Sequence, residues 1–176
     1  MKRKILLYEI VGIVFIIMLG SLLHFTYEIS GDNALVGVFS AVNESVWEHL
    51  KLAFWPAMLF ALIEFVPLKR FAQNFVLAKS VSVYVMVAVI PAIFYSYTAF
   101  TGENLLAVDI GSFLAAVVIG QLVSYKLLTY RTLSVKAQWI ALFFVILLAV
   151  LFVVFTFVPP HLPIFEDPIT GNYGIC

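Results

Sequence analysis

Charged residues are scarce in this chain of 176 residues. Lysine and arginine together number 10, aspartate and glutamate 10, and charged residues make up only 11% of the sequence. A soluble domain carries about a quarter charged residues. Hydrophobic residues make up 64%, which is more apolar surface than one globular core buries, so lipid must solvate much of it. The composition excludes an ordinary soluble domain.

A basic face and cysteine pairs are missing as well. The few lysines and arginines are scattered beside apolar segments, which excludes a nucleic-acid partner. Cys176 is the only cysteine, so the chain has neither an internal disulfide nor a metal site built from cysteines.

Five long apolar runs predict helices that span a bilayer. Each approaches the roughly 20 residues that a helix needs to cross a hydrocarbon core of about 30 Å. Unbroken runs of this length favour helices over a barrel. The predicted spans are Ile5–Phe25, Asn43–Val66, Val81–Phe100, Leu105–Leu128 and Trp139–Val158. The sequence therefore predicts an all-α, polytopic bundle in which residues 1–176 form a single transmembrane domain.

The basic residues predict the orientation of this bundle. All except Lys51 flank the first span, the connection between spans two and three, or the connection between spans four and five. They are Lys2, Arg3, Lys4, Lys69, Arg70, Lys79, Lys126, Arg131 and Lys136. By the positive-inside rule we expect a cytoplasmic N-terminus and an external C-terminus, in the plasma membrane.

Two connecting segments are predicted to have structure of their own. Residues 33–40 favour a short interfacial or re-entrant helix. Residues 159–176 are rich in proline and glycine but keep too much apolar character for a free tail. We expect this tail to fold back over the outer face of the bundle.

Histidines and carboxylates from separate regions share one predicted membrane depth near that outer face. Imidazole and carboxylate groups are the usual ligands of zinc and related divalent transition metals. The predicted metal ligands are His24, Glu44 and His161. Glu48 is an alternative ligand or a catalytic carboxylate, and Asp109 is a further ligand or a general base. Three protein ligands with an open position activate a water molecule at neutral pH.

His49 is left out of the predicted ligand set. It directly follows Glu48, and consecutive residues on a helix point about 100° apart. A structural interpretation of the same segment is also open: Ser45-x-x-Glu48 fits a capping box, and Lys51 can pair with Glu48 and Glu44 without any chemistry.

Other polar positions have packing explanations. Glu9 and Glu64 approach the cytoplasmic boundary, where snorkelling or pairing with nearby basic residues accounts for them. Span four carries a stripe of small residues that indicates helix packing, at Ser112, Ala116 and Gly120.

Three motifs resemble a family of small prokaryotic membrane proteins that is catalogued as a domain of unknown function. They are NESVWEHLK at residues 43–51, PPHLP at residues 159–163 and DPITGNYG at residues 167–174. The resemblance implies a multi-span bundle in a bacterial or archaeal plasma membrane and supplies no activity. A looser similarity connects the chain to ceramidase-like membrane hydrolases, which hold zinc with histidines, an aspartate and a serine. This chain departs from them in having five spans and no closely spaced histidine pair in the last one.

The sequence leaves three functions open. The first is a membrane protein with an outward-facing polar pocket that binds metal, or carries out metal-dependent hydrolysis, on a lipid-like or small polar ligand. The second is a small transporter or channel component, although no inverted repeat is visible and polar residues are few in the cytoplasmic half. The third is a structural or assembly partner. A homo-oligomer is compatible with each of them.

Overall fold

The computed structural model describes residues 2–72 and 74–175, so Cys176 lies outside the described residues. Within these ranges the chain is helical, apart from one isolated β-bridge between Glu166 and Tyr173. The helices are α1 (Lys2–Ile29), α2 (Ala34–Gly37), α3 (Val46–Leu68), α4 (Phe75–Thr101), α5 (Leu106–Leu128) and α6 (Val135–Phe157), followed by a 3-10 turn at Pro163–Phe165.

Five of the helices are long and apolar enough to cross a membrane: α1, α3, α4, α5 and α6. The prediction of an all-α chain with five such helices is confirmed. The short α2 lies within the segment predicted to form an interfacial helix.

The helix starts differ from the sequence-based boundaries for local reasons. Helix α3 begins at Val46 because Ser45 is its N-cap, whose side chain accepts a hydrogen bond from the backbone of Glu48. Helix α4 begins at Phe75, upstream of the predicted start, and therefore contains Lys79. Lys79 is thus part of a membrane-spanning-length helix instead of a connection.

The long helices pack around α3 and α4. Helix α4 lies along α5, α3 and α6, while α1 packs on α3 and α5. The middle of the bundle is an apolar core that includes Ile16, Phe54, Met86 and Phe152. The small-residue stripe of α5 faces inward, and a Cβ added at Gly120 would clash with the side chain of Met86 on α4. The interpretation of this stripe as helix packing is confirmed.

The perimeter of the bundle is apolar. Large hydrophobic side chains on every long helix are exposed, including Leu7, Met18, Leu62, Phe143 and Val150. An apolar rim around a packed core is the pattern of a helix bundle whose solvent is lipid, because lipid-facing positions need no polar partner.

We call one end of the bundle the tail end. It comprises the last turn of α1, residues 34–51, the last turn of α6 and residues 159–175. The ring of Phe165 packs on Trp47 with centroids 4.8 Å apart. The amide of Asn43 donates to the carbonyl of Gly174 at 3.1 Å, and the backbone N–H of Ile175 donates to the carbonyl of Thr156 at 3.0 Å. The C-terminal segment is therefore folded back onto the bundle.

At the opposite end, one side chain joins two connections. The amide of Asn74 donates to the carbonyls of Leu127 and Arg131, each at 3.0 Å, and its oxygen accepts from the N–H of Leu133 at 2.8 Å. Asn74 is 1% exposed. This buried side chain satisfies backbone groups at the end of α5 that have no intrahelical partner.

Candidate metal centre

Three side chains at the tail end converge on one point. His24 comes from the last part of α1, His49 from the first turn of α3, and Glu44 from the connection that precedes α3. The two Nε2 atoms of the histidines are 3.1 Å apart. Oε2 of Glu44 lies 3.9 Å from Nε2 of His24 and 3.5 Å from Nε2 of His49.

These separations suit a tetrahedral zinc ion. Zinc holds nitrogen and oxygen ligands at about 2.0–2.2 Å, and tetrahedral angles then place ligand atoms about 3.3–3.6 Å apart. The three observed distances surround this interval, so small side-chain rotations suffice to bring all three atoms into ligand range. We call His24, Glu44 and His49 the metal triad.

The backbone of α3 fixes the ring of His49. Its Nδ1 lies 2.9 Å from the carbonyl oxygen of Ser45. A carbonyl only accepts hydrogen bonds, so Nδ1 carries the proton and Nε2 presents its lone pair to the triad. A backbone carbonyl behind a metal-binding histidine is the usual way in which proteins select the tautomer and orientation of that ring.

The connection that carries Glu44 is held on both sides. Oδ1 of Asn43 accepts from the N–H of Ser45 at 3.0 Å, which tightens the turn. The Nδ2 of Asn43 reaches the carbonyl of Gly174 in the tail. The folded-back tail therefore supports the segment that positions the carboxylate of the triad.

The triad is accessible from outside the bundle. The side chains of His24 and His49 are each 31% exposed and that of Glu44 is 44% exposed. A cavity of about 300 Å³ adjoins His24 and Glu44 and is also lined by Glu28 and Asp32. An ion and a small polar molecule can reach this point without crossing the core.

Glu48 lies beside the triad but belongs to a different set of contacts. Its carboxylate forms an ion pair with Lys51 and accepts from the N–H of Val42 at 3.1 Å. Lys51 also donates to the carbonyl of Gly37 at 2.7 Å and to Thr156. Glu48 and Lys51 are 1% and 0% exposed. The pair is buried beneath the triad and ties α3 to residues on α2 and α6.

The capping-box interpretation is half correct. The hydroxyl of Ser45 accepts from the N–H of Glu48 at 3.4 Å, as expected of an N-cap. The reciprocal bond is replaced, because the carboxylate of Glu48 bonds to Val42 while the N–H of Ser45 bonds to Asn43.

Asp109 and His161 lie away from the metal triad. Oδ1 of Asp109 accepts from the hydroxyl of Tyr97 at 2.6 Å at the α4–α5 connection. His161 stacks on Tyr173 in the tail, with ring centroids 4.6 Å apart. The hydroxyl of Tyr173 donates to Glu166, which raises the pKa of that hydroxyl. Of the predicted ligands, the structure brings together His24 and Glu44.

Sequence reasoning missed His49. The angle between His49 and Glu48 was treated as a reason to discard the histidine, whereas Glu48 is the one that turns away into the bundle. The pattern that could have shown this is the N-cap at Ser45: it places Glu44 before the helix, so Glu44 does not share the helical face of Glu48.

The family model for a family of unknown function, DUF6512, matches residues 2–175. The chain belongs to this family. The expectation of membership in a family catalogued by a domain of unknown function is confirmed. No curated protein and no solved structure matches the chain. For this DUF6512 member the chemistry of the site therefore has to be argued from its own residues.

Proposed function

We propose that the protein is a multi-pass membrane protein that binds one divalent transition metal ion, zinc by its ligand chemistry, through His24, Glu44 and His49. The observation that carries this proposal is the convergence of three ligand atoms, all within 4.8 Å of one another, from segments that are far apart in sequence. Two imidazoles and a carboxylate form a ligand set that is typical of zinc enzymes.

The charge balance also favours a metal. A carboxylate and two neutral imidazoles offer a single negative charge and two lone pairs to a cation. The tautomer selected by Ser45 directs one of these lone pairs at the triad. The second ring, His24, releases the Nε2 proton that otherwise lies between the two histidines, and metal binding displaces such protons.

Three protein ligands favour chemistry over a purely structural metal. A structural zinc site has four protein ligands, whereas a catalytic one keeps a position for water. The polar cavity beside the triad is the size of a small polar molecule. Zinc lowers the pKa of its bound water to about 7, so the activity we propose is hydrolysis of a small polar substrate.

A plasma-membrane location with the triad outside follows from the charge distribution. The connections at the end opposite the triad carry the lysines and arginines that the positive-inside rule assigns to the cytoplasm. The triad then faces the external medium.

Metal analysis of the detergent-purified protein tests this function. After incubation with zinc and removal of the excess, we expect about one zinc per chain in the wild type. His24→Ala and His49→Ala should lose most of it, because two ligands hold zinc far more weakly than three. His161→Ala is the matched control, since it removes a histidine from the tail and leaves the triad intact.

The same series separates the two ligand sets. Zinc retained in His49→Ala but lost in His161→Ala would reject the triad in favour of the ligands predicted from sequence. A wild type without zinc, in a monodisperse preparation of normal thermal stability, would reject the metal function altogether.

A further inference from the structure

A second group of charged side chains is buried at the end of the bundle opposite the triad. Glu9 of α1, Glu64 of α3 and Lys79 of α4 meet there and are 2%, 0% and 6% exposed. The ammonium of Lys79 lies 2.7 Å from Oε1 of Glu9 and forms an ion pair with Oε1 of Glu64. The interpretation of Glu9 and Glu64 as snorkelling boundary residues is wrong, whereas their pairing with a basic residue is confirmed.

The charges of this cluster do not balance. Two carboxylates share one ammonium, and α5 faces them with the uncharged side chains of Ser124 and Gln121. The neighbouring lysines are engaged elsewhere: Lys4 lies over the ring of Phe71 and Lys69 over that of Phe65. With every group ionised, the cluster holds a net charge of about −1, and an uncompensated buried charge costs several kcal/mol.

Two carboxylate oxygens also have no donor. Among the described residues, Oε2 of Glu9 and Oε2 of Glu64 are buried and have no hydrogen-bond partner. Buried polar atoms of native proteins are almost always paired. A single ligand that removes one negative charge and supplies one hydrogen-bond donor would resolve both deficits.

The surrounding groups favour a proton over a metal cation. Lys79 already occupies the position between the two carboxylates. Ser124 donates its hydroxyl hydrogen to Oε1 of Glu9 at 3.0 Å, and Gln121 directs its amide nitrogen at the carbonyl of Glu9. These neighbours therefore point hydrogens into the cluster, whereas a sodium or magnesium ion needs several oxygen lone pairs.

We propose that Glu9 and Glu64 form a proton-binding site in which the two carboxyl groups share one exchangeable proton and Lys79 is the fixed counter-cation. On binding, a carboxylate oxygen takes a proton from water, one O–H bond forms, and the net charge of the cluster goes from −1 to zero. The apolar core between this cluster and the tail end separates the proton site from the metal triad.

Infrared spectroscopy of the purified protein tests this site directly, because a protonated carboxyl has a carbonyl stretch that a carboxylate lacks. At about pH 7, where exposed glutamates are ionised, we expect one protonated carboxyl that titrates away at alkaline pH. Glu9→Gln and Glu64→Gln should each abolish the band, because the remaining carboxylate is then balanced one to one by Lys79. Glu103→Gln, an exposed carboxylate, is the matched control.

Two further measurements guard against misfolding and against a cation. Lys79→Met removes the counter-cation, so the band should intensify about twofold as both carboxyls bind protons. Replacing potassium by sodium should leave the titration unchanged. A spectrum without the band at about pH 7, a band that persists in both glutamine variants, or a titration displaced by sodium would each overturn the proposal. All these readouts are independent of zinc content.

Discussion

The ammonium of Lys51 on α3 lies 2.9 Å from the hydroxyl of Thr156 on α6, although 105 residues separate them in the chain. Thr156 in turn lies 3.4 Å from the carboxylate of Glu48, the ion-pair partner of Lys51. Two helices and a buried charge pair are thus joined beneath the metal triad, so the stability of the tail end depends on both charges being present together.

Glu48→Gln or Lys51→Met should each destabilise the protein by about 3–5 kcal/mol, because each leaves one buried charge without its partner. The double variant should recover much of this loss, since it buries no charge. Thermal unfolding in detergent measures the cycle. Lys126→Met, which removes a lysine far from the pair, is the control, and equal losses that simply add in the double variant would contradict a coupled pair.

Asn43→Ala should weaken zinc binding by about 10-fold without removing a ligand. It deletes the bond that tightens the turn before α3 and the bond to Gly174, and loss of an outer support typically costs 10- to 100-fold in metal affinity. Competition with a zinc-binding dye measures the affinity. The tail should also become more sensitive to protease. Asn172→Ala, an exposed position in the same tail, should change neither property.

Cys176 should react with a membrane-impermeant thiol reagent applied to intact cells. The tail is folded onto the end of the bundle that carries the triad, and the basic connections at the other end are expected in the cytoplasm. A Tyr130→Cys variant in a Cys176→Ser background places the thiol at the α5–α6 connection and should react only after lysis. The reverse labelling pattern would invert the proposed orientation.

Hydropathy and capping residues predicted most of the fold. Length and apolarity alone reveal α1, α3, α4, α5 and α6, because a helix that crosses a bilayer must be long and uninterrupted whatever its neighbours are. Boundaries were less predictable where a charged residue continued a helix. Lys79 was assigned to a connection because an isolated lysine in an apolar helix is costly, and only the contacts with Glu9 and Glu64 remove that objection.

The candidate site was predicted in its chemistry but only in part in its membership. Few residue types are capable of metal binding here, and the sequence identified His24 and Glu44 among them. His49 was discarded on a local angle, and Glu48 was retained although its carboxylate is bound to Lys51.

The sequence by itself determined the helices, their apolar surfaces, the uneven distribution of basic residues and the supply of imidazole and carboxylate ligands, since each is a property of single segments. Only the tertiary structure decided which ionisable groups meet. The rotation of each helix about its axis and the path of residues 38–45 depend on packing between segments far apart in the chain. These determine that His24 faces His49 and that Glu9 and Glu64 share Lys79.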